Sequence, residues 1–297
     1  MPELPEVETV RRGLQAALAG DKIILVEVLR DQSVAYPTAS EFAALLPGNR
    51  FGDVLRRGKY LLLELDSGAG LACHLRMSGR LLIRGEKPGK LRRKKNLADA
   101  EPRFLRVRML LASGRELHFE DMRVFGRLWY KPPQSSFEEV IPALAVLGAE
   151  PLGDEPVDGA YLEAALAGKS RAIKTVLLDQ QVLAGVGNIY ADEALFLSGI
   201  HPLSVAGKIQ RRKLDVLAAT IVQVLSRAIE SGGSTLRDYA SAAGVNGNYQ
   251  NEAWVYGREK EPCRVCQSIV VRLKINGRSS HFCPKCQPLK TKKLLSR

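Results

Sequence analysis

Near the end of the chain, Cys263, Cys266, Cys283 and Cys286 stand in two pairs, with two residues inside each pair and sixteen between them. That spacing lets both thiolates of each pair reach one tetrahedral ion, the arrangement of a structural zinc site. Four thiolates leave no open coordination position, so the expected single Zn2+ would hold the chain together rather than bind a substrate. Two disulfides are the alternative for the same residues, and they need an oxidising compartment. The opening Met1-Pro2-Glu3-Leu4-Pro5-Glu6 is acidic and broken by proline, unlike a secretory signal, so a reducing cytoplasm and zinc are expected. The fifth cysteine, Cys73, lies in a strand-like run and reads as a buried structural thiol.

The other end of the chain offers a nucleophile. Removal of Met1 would expose the secondary amine of Pro2. Simple α-amino groups titrate near roughly 8, so an appreciable neutral fraction is available for attack. Attack on a sugar carbon would give an iminium directly, because this nitrogen already carries two carbon substituents, and covalent catalysis divides a hard displacement into easier steps. Glu3 could protonate the sugar ring oxygen and move protons. By type alone, Pro2, Glu3 and Glu6 suit the start of a helix equally well, since carboxylates favour its amino end.

A third feature is Gly185-Val186-Gly187-Asn188, two glycines before a helix start. Such a loop lets backbone N–H groups approach an anion, with the helix amino end adding partial positive charge and Asn188 donating from its side chain. It lacks the Lys-Ser/Thr of a nucleotide-binding loop, which favours a nucleic-acid backbone over a nucleotide. A plain packing loop between two helices is the other reading.

The elements that must position these groups follow from periodicity. After Pro5, the residues Val7, Val10, Leu14 and Leu18 step by three and four before Gly20, the pattern of one amphipathic helix. From Lys22 to about Tyr130 the pattern is strand-like, with candidates Ile23–Val28, Tyr60–Leu65, Leu71–Met77, Phe104–Leu111 and Glu116–Glu120. Turn signals at Gly48-Asn49, Ser67-Gly68 and Ser113-Gly114 separate them, which favours an antiparallel β-sandwich. Beyond Pro151, helical patterning takes over. One helix is expected from Asp158 to Gly168, others over Arg171–Asp179 and Asn188–Leu197, and a long one carries Leu214, Leu217, Ile221, Leu225 and Ala228. Between the cysteine pairs, Ile269–Leu273 and Asn276-Gly277 suit a β-hairpin from which Arg278 would project.

The fold class is therefore α+β. Its expected domains are a catalytic β-sandwich over 1–132 with an N-terminal helix, a linker over 133–150, a helical domain over 151–252, and a zinc hairpin with a basic tail over 253–297. No run of about 18 apolar residues exists, so no membrane span is expected. The net charge of +12 suits a polyanionic partner, and it is concentrated: 11 Lys/Arg against 2 Asp/Glu lie between Arg258 and Arg297. A second basic cluster, Arg92-Arg93-Lys94-Lys95, lies mid-chain and reads equally as a solvated loop.

The stretch from Met1 to Val10 resembles the opening of formamidopyrimidine-DNA glycosylase, a bacterial family that repairs oxidised purines. The resemblance continues through Gly58-Lys59-Tyr60-Leu61, His74–Gly79, Asp121-Met122-Arg123-Val124-Phe125-Gly126, Gly187–Glu193 and Val255–Arg258, and ends in the four-cysteine finger. It implies a helix-two-turn-helix second domain and a monomer acting on damaged double-stranded DNA. Pro2 would attack C1′ of the damaged nucleotide to form a Schiff base, with Glu3 as acid–base partner and Glu6 shaping the site. Lys59 would serve β-elimination, and Arg278 the δ-elimination. Met77, Arg123 and Phe125 would fill the hole left by the everted nucleotide, Arg123 meeting the orphaned base, while His74, Asn188 and Lys169 would hold backbone phosphates.

Met122 and Val124 depart from the family's usual Asp-Pro-Arg-Arg-Phe-Gly turn, and no histidine stands near Phe104. The insert from Gly85 to Glu101 and the tail after Gln287 are longer than expected. Two rivals remain: an endonuclease VIII-like glycosylase for oxidised pyrimidines, and a non-catalytic zinc protein that binds nucleic acid. Leu4, Glu8-Thr9 and the pair Arg123 and Phe125 favour the purine enzyme.

Overall fold

The computed structural model describes residues 1–85, 102–155, 157–234 and 247–289. The cluster Arg92–Lys95 with its insert, the middle of the stretch between Ser234 and Asn251, and the end of the tail lie outside the described residues. The chain forms two compact units, residues 1–146 with 232–247, and residues 147–231 with 248–297.

In the first unit, helix α1 (Leu4–Leu18) starts where the sequence places it. Glu3 is its extended N-cap, and Oε2 of Glu6 accepts the Glu3 N–H at 2.7 Å within a capping box. Val7, Val10, Leu14 and Leu18 are buried along one stripe, as the spacing requires. The strands are β1 (Ile23–Val28), β2 (Val34–Tyr36), β3 (Phe51–Arg57), β4 (Tyr60–Leu65), β5 (Gly70–His74), β6 (Gly79–Arg84), β7 (Leu105–Leu111), β8 (Glu116–Asp121) and β9 (Arg127–Lys131), with helix α2 (Ala39–Leu45) before β3. They form two sheets, β1-β7-β8-β6 and β2-β9-β5-β4-β3, antiparallel except where the short β2 runs parallel to β9. One apolar core is shared by α1 and both sheets, with Leu14, Phe51, Leu63, Cys73, Phe119 and Leu128 among its members.

Two details of this unit matter for the site. Arg57 pairs with Tyr60, so Gly58-Lys59 is a two-residue hairpin turn, and Gly58 at φ +54 takes its first central position. That turn type needs glycine there and leaves Lys59 at the tip. The strand expected to run to Met77 instead ends at His74. The Gly79 N–H bonds Leu75 O at 2.9 Å and Arg76 has φ +54, so the chain reverses into β6, which the periodicity had not separated. Two short helices, α3 (Phe137–Val140) and α4 (Pro142–Ala145), occupy the segment read as a linker.

The second unit contains α5 (Gly159–Leu166), α6 (Ile173–Leu177), α7 (Asn188–Leu197) and α8 (Arg211–Glu230). Asp158 caps α5 by accepting the Tyr161 N–H at 2.7 Å. Helix α6 is shorter than its pattern, because Ala172 is extended in a bridge to Val205. The hairpin of β10 (Val271–Ile275) and β11 (Arg278–Phe282) turns on Asn276-Gly277, both at positive φ, the geometry of a type I′ turn.

Candidate active site and nucleic-acid interface

The start of α1 places Pro2 and Glu3 together, both buried, while Met1 is half exposed. Loss of Met1 would free the Pro2 nitrogen as a secondary amine. Glu6 is buried and committed to structure: one carboxylate oxygen holds Glu3 N–H and the other accepts Ser234 N–H at 2.8 Å. It ties the helix start to the segment at Gly233-Ser234.

Lys59 is buried at the tip of the β3–β4 turn. That turn is anchored to α1 through Glu8, whose carboxylate receives Arg11, Arg12 and Arg56, while Nη1 of Arg56 donates to Gly58 O at 3.1 Å. Burial would raise the Glu8 carboxyl, but hydrogen bonds from Arg11 and Arg12 and the charges of Arg11 and Arg56 hold it below the ordinary carboxylate range. By type alone Glu8 favours only a helix amino end; Arg56, the partner that gives it an anchoring role, lies 48 residues away.

His74 ends β5, buried and edge-on to Tyr60 at 4.6 Å. Burial first, then the charges of Arg76 and Lys59, push its imidazole down to about 3. The ring is therefore neutral near pH 7. Its Nδ1 accepts the Arg76 N–H at 3.0 Å, which puts the ring proton on Nε2 and leaves that nitrogen a donor suited to an anionic oxygen.

Met77 and Phe125 are large apolar side chains left 41% and 49% exposed. Arg123 joins them: its Nη1 lies 3.2 Å from Met77 Sδ, and its guanidinium sits 4.9 Å from the centroid of the Phe125 ring. Exposed methionine and phenylalanine bridged by an arginine form a tip that can enter a base stack and still offer hydrogen-bond donors.

In the second unit, Asn188 is the first residue of α7, after the N-cap Gly187. The preceding loop is shaped by Gln180, whose Oε1 accepts Gly185 N–H and whose Nε2 donates to Val186 O. Oδ1 of Asn188 is buried without a hydrogen-bond partner among the described residues. Lys169 follows α5 and is half buried. Arg278 opens β11 and is exposed, with no acidic partner among the described residues. Arg278 and Asn276 also line a small cavity of about 250 Å³ with Arg171 and Thr175 of the second unit.

A buried pair positions the hairpin. Nζ of Lys174 on α6 lies 2.6 Å from Oδ1 of Asp192 on α7 and donates to Ser279 O at 2.7 Å, while Asp192 Oδ2 accepts the His281 N–H at 2.8 Å. Its neighbour Glu193 accepts backbone N–H groups from Trp254, Val255 and Tyr256. Burial raises the Glu193 carboxyl, and those three donors oppose the rise. Neither acid carries a positioning role in the sequence pattern, although both lie in the Asn188–Glu193 stretch.

The four cysteine sulfurs lie within 4.8 Å of one another, with Cys266 and Cys283 at 3.4 Å and Cys263 and Cys286 at 3.9 Å. Four thiolates at about 2.3 Å from one tetrahedral zinc stand about 3.8 Å apart, so the set fits that ion. Backbone N–H groups of Val265 and Cys286 point at Cys263 and Cys283 sulfurs, as in a zinc knuckle. The module holds one structural zinc. Cys73 stands apart in the core of the first unit.

The chain matches three family models: the formamidopyrimidine-DNA glycosylase N-terminal domain over residues 1–128, the H2TH domain of that glycosylase over 147–240, and a zinc finger found in FPG and IleRS over 260–289. It is 52% identical to the formamidopyrimidine-DNA glycosylase of Gloeobacter violaceus, over 97% of this chain and 98% of that one. The chain belongs to the formamidopyrimidine-DNA glycosylase family. Among solved structures of this family, the MutM (Fpg) protein of Thermus thermophilus is similar at TM-score 0.83 and 36% identity, covering 98% of this chain and all of that one. Lactococcus lactis Fpg complexes with Fapy-dG DNA and with abasic DNA each give TM-score 0.84 at 33% identity, covering 97% of this chain and all of theirs. Among the described residues no helix is long and apolar enough to cross a membrane.

Proposed function

We propose that this chain is a bifunctional DNA glycosylase and AP lyase of base excision repair. It removes oxidised purines, 8-oxoguanine and formamidopyrimidines, from duplex DNA. The observation that carries this reading is an exposed Met77–Arg123–Phe125 tip built on the same unit as a buried Pro2–Glu3 pair at a helix start. The tip occupies the space of an everted nucleotide, and the proline supplies a nucleophile for the nucleotide so exposed.

In this account the Pro2 nitrogen bonds C1′ and the glycosidic bond to the base breaks. Glu3 protonates the ring oxygen as the sugar opens to an iminium. Loss of the C2′ proton then expels the 3′ phosphate, with Lys59 serving that β-elimination. Arg278 assists the δ-elimination that releases the 5′ phosphate. His74, Asn188 and Lys169 hold backbone phosphates, the first two through neutral donors. The proposed chemistry draws on Pro2, Glu3 and Lys59 of the first unit and on Arg278 of the hairpin, and the proposed phosphate contacts on His74 of the first unit and on Asn188 and Lys169 of the second. The protein acts as a monomer on damaged double-stranded DNA in the bacterial cytoplasm.

An endonuclease VIII-like preference for oxidised pyrimidines is the second reading, and the pairing of Arg123 with Phe125 speaks against it. Excision of 8-oxoguanine opposite cytosine should exceed excision of thymine glycol by at least tenfold. The reverse order would overturn the substrate assignment and leave the lyase chemistry standing.

A further inference from the structure

The chain crosses between the two sheets of the first unit at two neighbouring places. One crossing, from β5 to β6, carries Met77. The other, from β8 to β9, carries Arg123 and Phe125. Two ladder pairs bound them, Gly79 with Asp121 on one side and His74 with Arg127 on the other. Exposed loops of this kind would ordinarily move independently, and the Arg123–Met77 and Arg123–Phe125 contacts at their tips are solvent-facing and weak.

Beneath the tips lies a buried polar joint. Ser78 Oγ donates to Asp121 Oδ1 at 2.5 Å, and both side chains are buried. The Arg123 N–H points at both acceptors, at 3.1 Å from Ser78 Oγ and 3.1 Å from Asp121 Oδ1. Asp121 Oδ2 accepts the Gly126 N–H at 2.7 Å. One carboxylate thus spans its own loop from residue 121 to residue 126, and one hydroxyl ties that loop to the other. Space leaves little freedom: a Cβ on Gly79 would lie 2.4 Å from Leu75 O, and one on Gly126 would lie 2.6 Å from the Phe119 ring. Val124, between Arg123 and Phe125, is held at φ +56, a left-handed conformation that a β-branched residue adopts only when its surroundings impose it.

We propose that Ser78 and Asp121 are a positioning pair that joins the two crossings, so that Met77, Arg123 and Phe125 enter DNA as one wedge. The inference rests on the glycosylase reading above. Neither residue touches DNA in this account; each acts through the backbone of Arg123 and the placement of Met77.

The test is a double-mutant cycle on the full-length zinc-loaded protein. Single-turnover excision of 8-oxoguanine from duplex DNA is measured for the wild type, S78A, R123A and S78A/R123A. Borohydride trapping on single-stranded abasic DNA, which needs no wedge, is measured alongside. S78A should slow duplex excision about tenfold, the value of one hydrogen bond to a charged group. Trapping on single strands should stay within about twofold of wild type. In the R123A background S78A should add little, since the wedge is already broken. The variant S78T, which keeps the hydroxyl, should recover most of the duplex rate.

Unchanged duplex excision by S78A, an undiminished tenfold effect in the R123A background, or an equal loss of trapping and excision would each overturn the pairing. Absence of any adduct from the wild-type protein would remove the glycosylase reading itself, and the inference with it.

Discussion

Replacing Asp192 by asparagine keeps the shape of that side chain and an acceptor for the His281 N–H, but removes the charge facing Lys174. Lys174 and Asp192 are 1% and 0% exposed, so water cannot screen what is left. Breaking a buried ion pair from one side costs about 3–5 kcal/mol, because an ammonium stays behind without its counterion. Lys174 keeps its bond to Ser279 O, which places the expected loss near the lower end, about 3 kcal/mol. For a unit of this size that corresponds to a drop of about 10 °C in melting temperature. Thermal and urea unfolding in zinc-replete buffer measure it, followed by circular dichroism. A double variant with Lys174→Gln and Asp192→Asn removes both charges, keeps a donor for Ser279 O and an acceptor for the His281 N–H, and should recover most of the loss. A single variant within about 0.5 kcal/mol of wild type, or a double variant as unstable as the single, would refute this reasoning.

Three further outcomes follow from the geometry. The folded-state value of about 3 for His74 lies below the roughly 6.5 of an unfolded histidine, so protonation favours unfolding. Stability from neutral His74 is complete above about pH 6.5 and falls toward pH 3, by up to about 1.4 kcal/mol per pH unit; an NMR titration midpoint near 6.5 would contradict this. Removing zinc with a strong chelator should abolish amide-exchange protection in β10 and β11, and retained protection would mean the hairpin stands without metal. Gly79→Ala should destabilise by about 1–3 kcal/mol in urea unfolding, because its methyl meets backbone rather than a movable side chain; a neutral result would show that the β5–β6 crossing relaxes freely.

What could be read in advance was whatever repeats locally. The 3.6-residue stripe of α1, the strands Ile23–Val28 and Tyr60–Leu65, the helix Asn188–Leu197 and the cysteine spacing all carry their signal within a few residues. The joints between such elements carry no local signal. Ser78 and Asp121 are 43 residues apart, Lys174 and Ser279 are 105 apart, and Glu6 and Ser234 are 228 apart. Their residue types are ordinary for a surface, and only the fold makes them internal. The strand read through to Met77 failed for a related reason: its apolar run spans a reversal whose cause is the close approach of Gly79 to Leu75. Resemblance supplied, by motif, the residues proposed for the chemistry and for the wedge. The groups that hold them in place came only from the contacts.

The whole reaction turns on the nitrogen of Pro2. Borohydride reduction on lesion-containing duplex, followed by digestion and mass mapping of the cross-linked peptide, tests it directly. The expected result is a stable adduct whose DNA remnant sits on Pro2, and its loss in a Pro2→Gly variant. An adduct mapped to Lys59 or another lysine, or no adduct on damaged duplex, would contradict it.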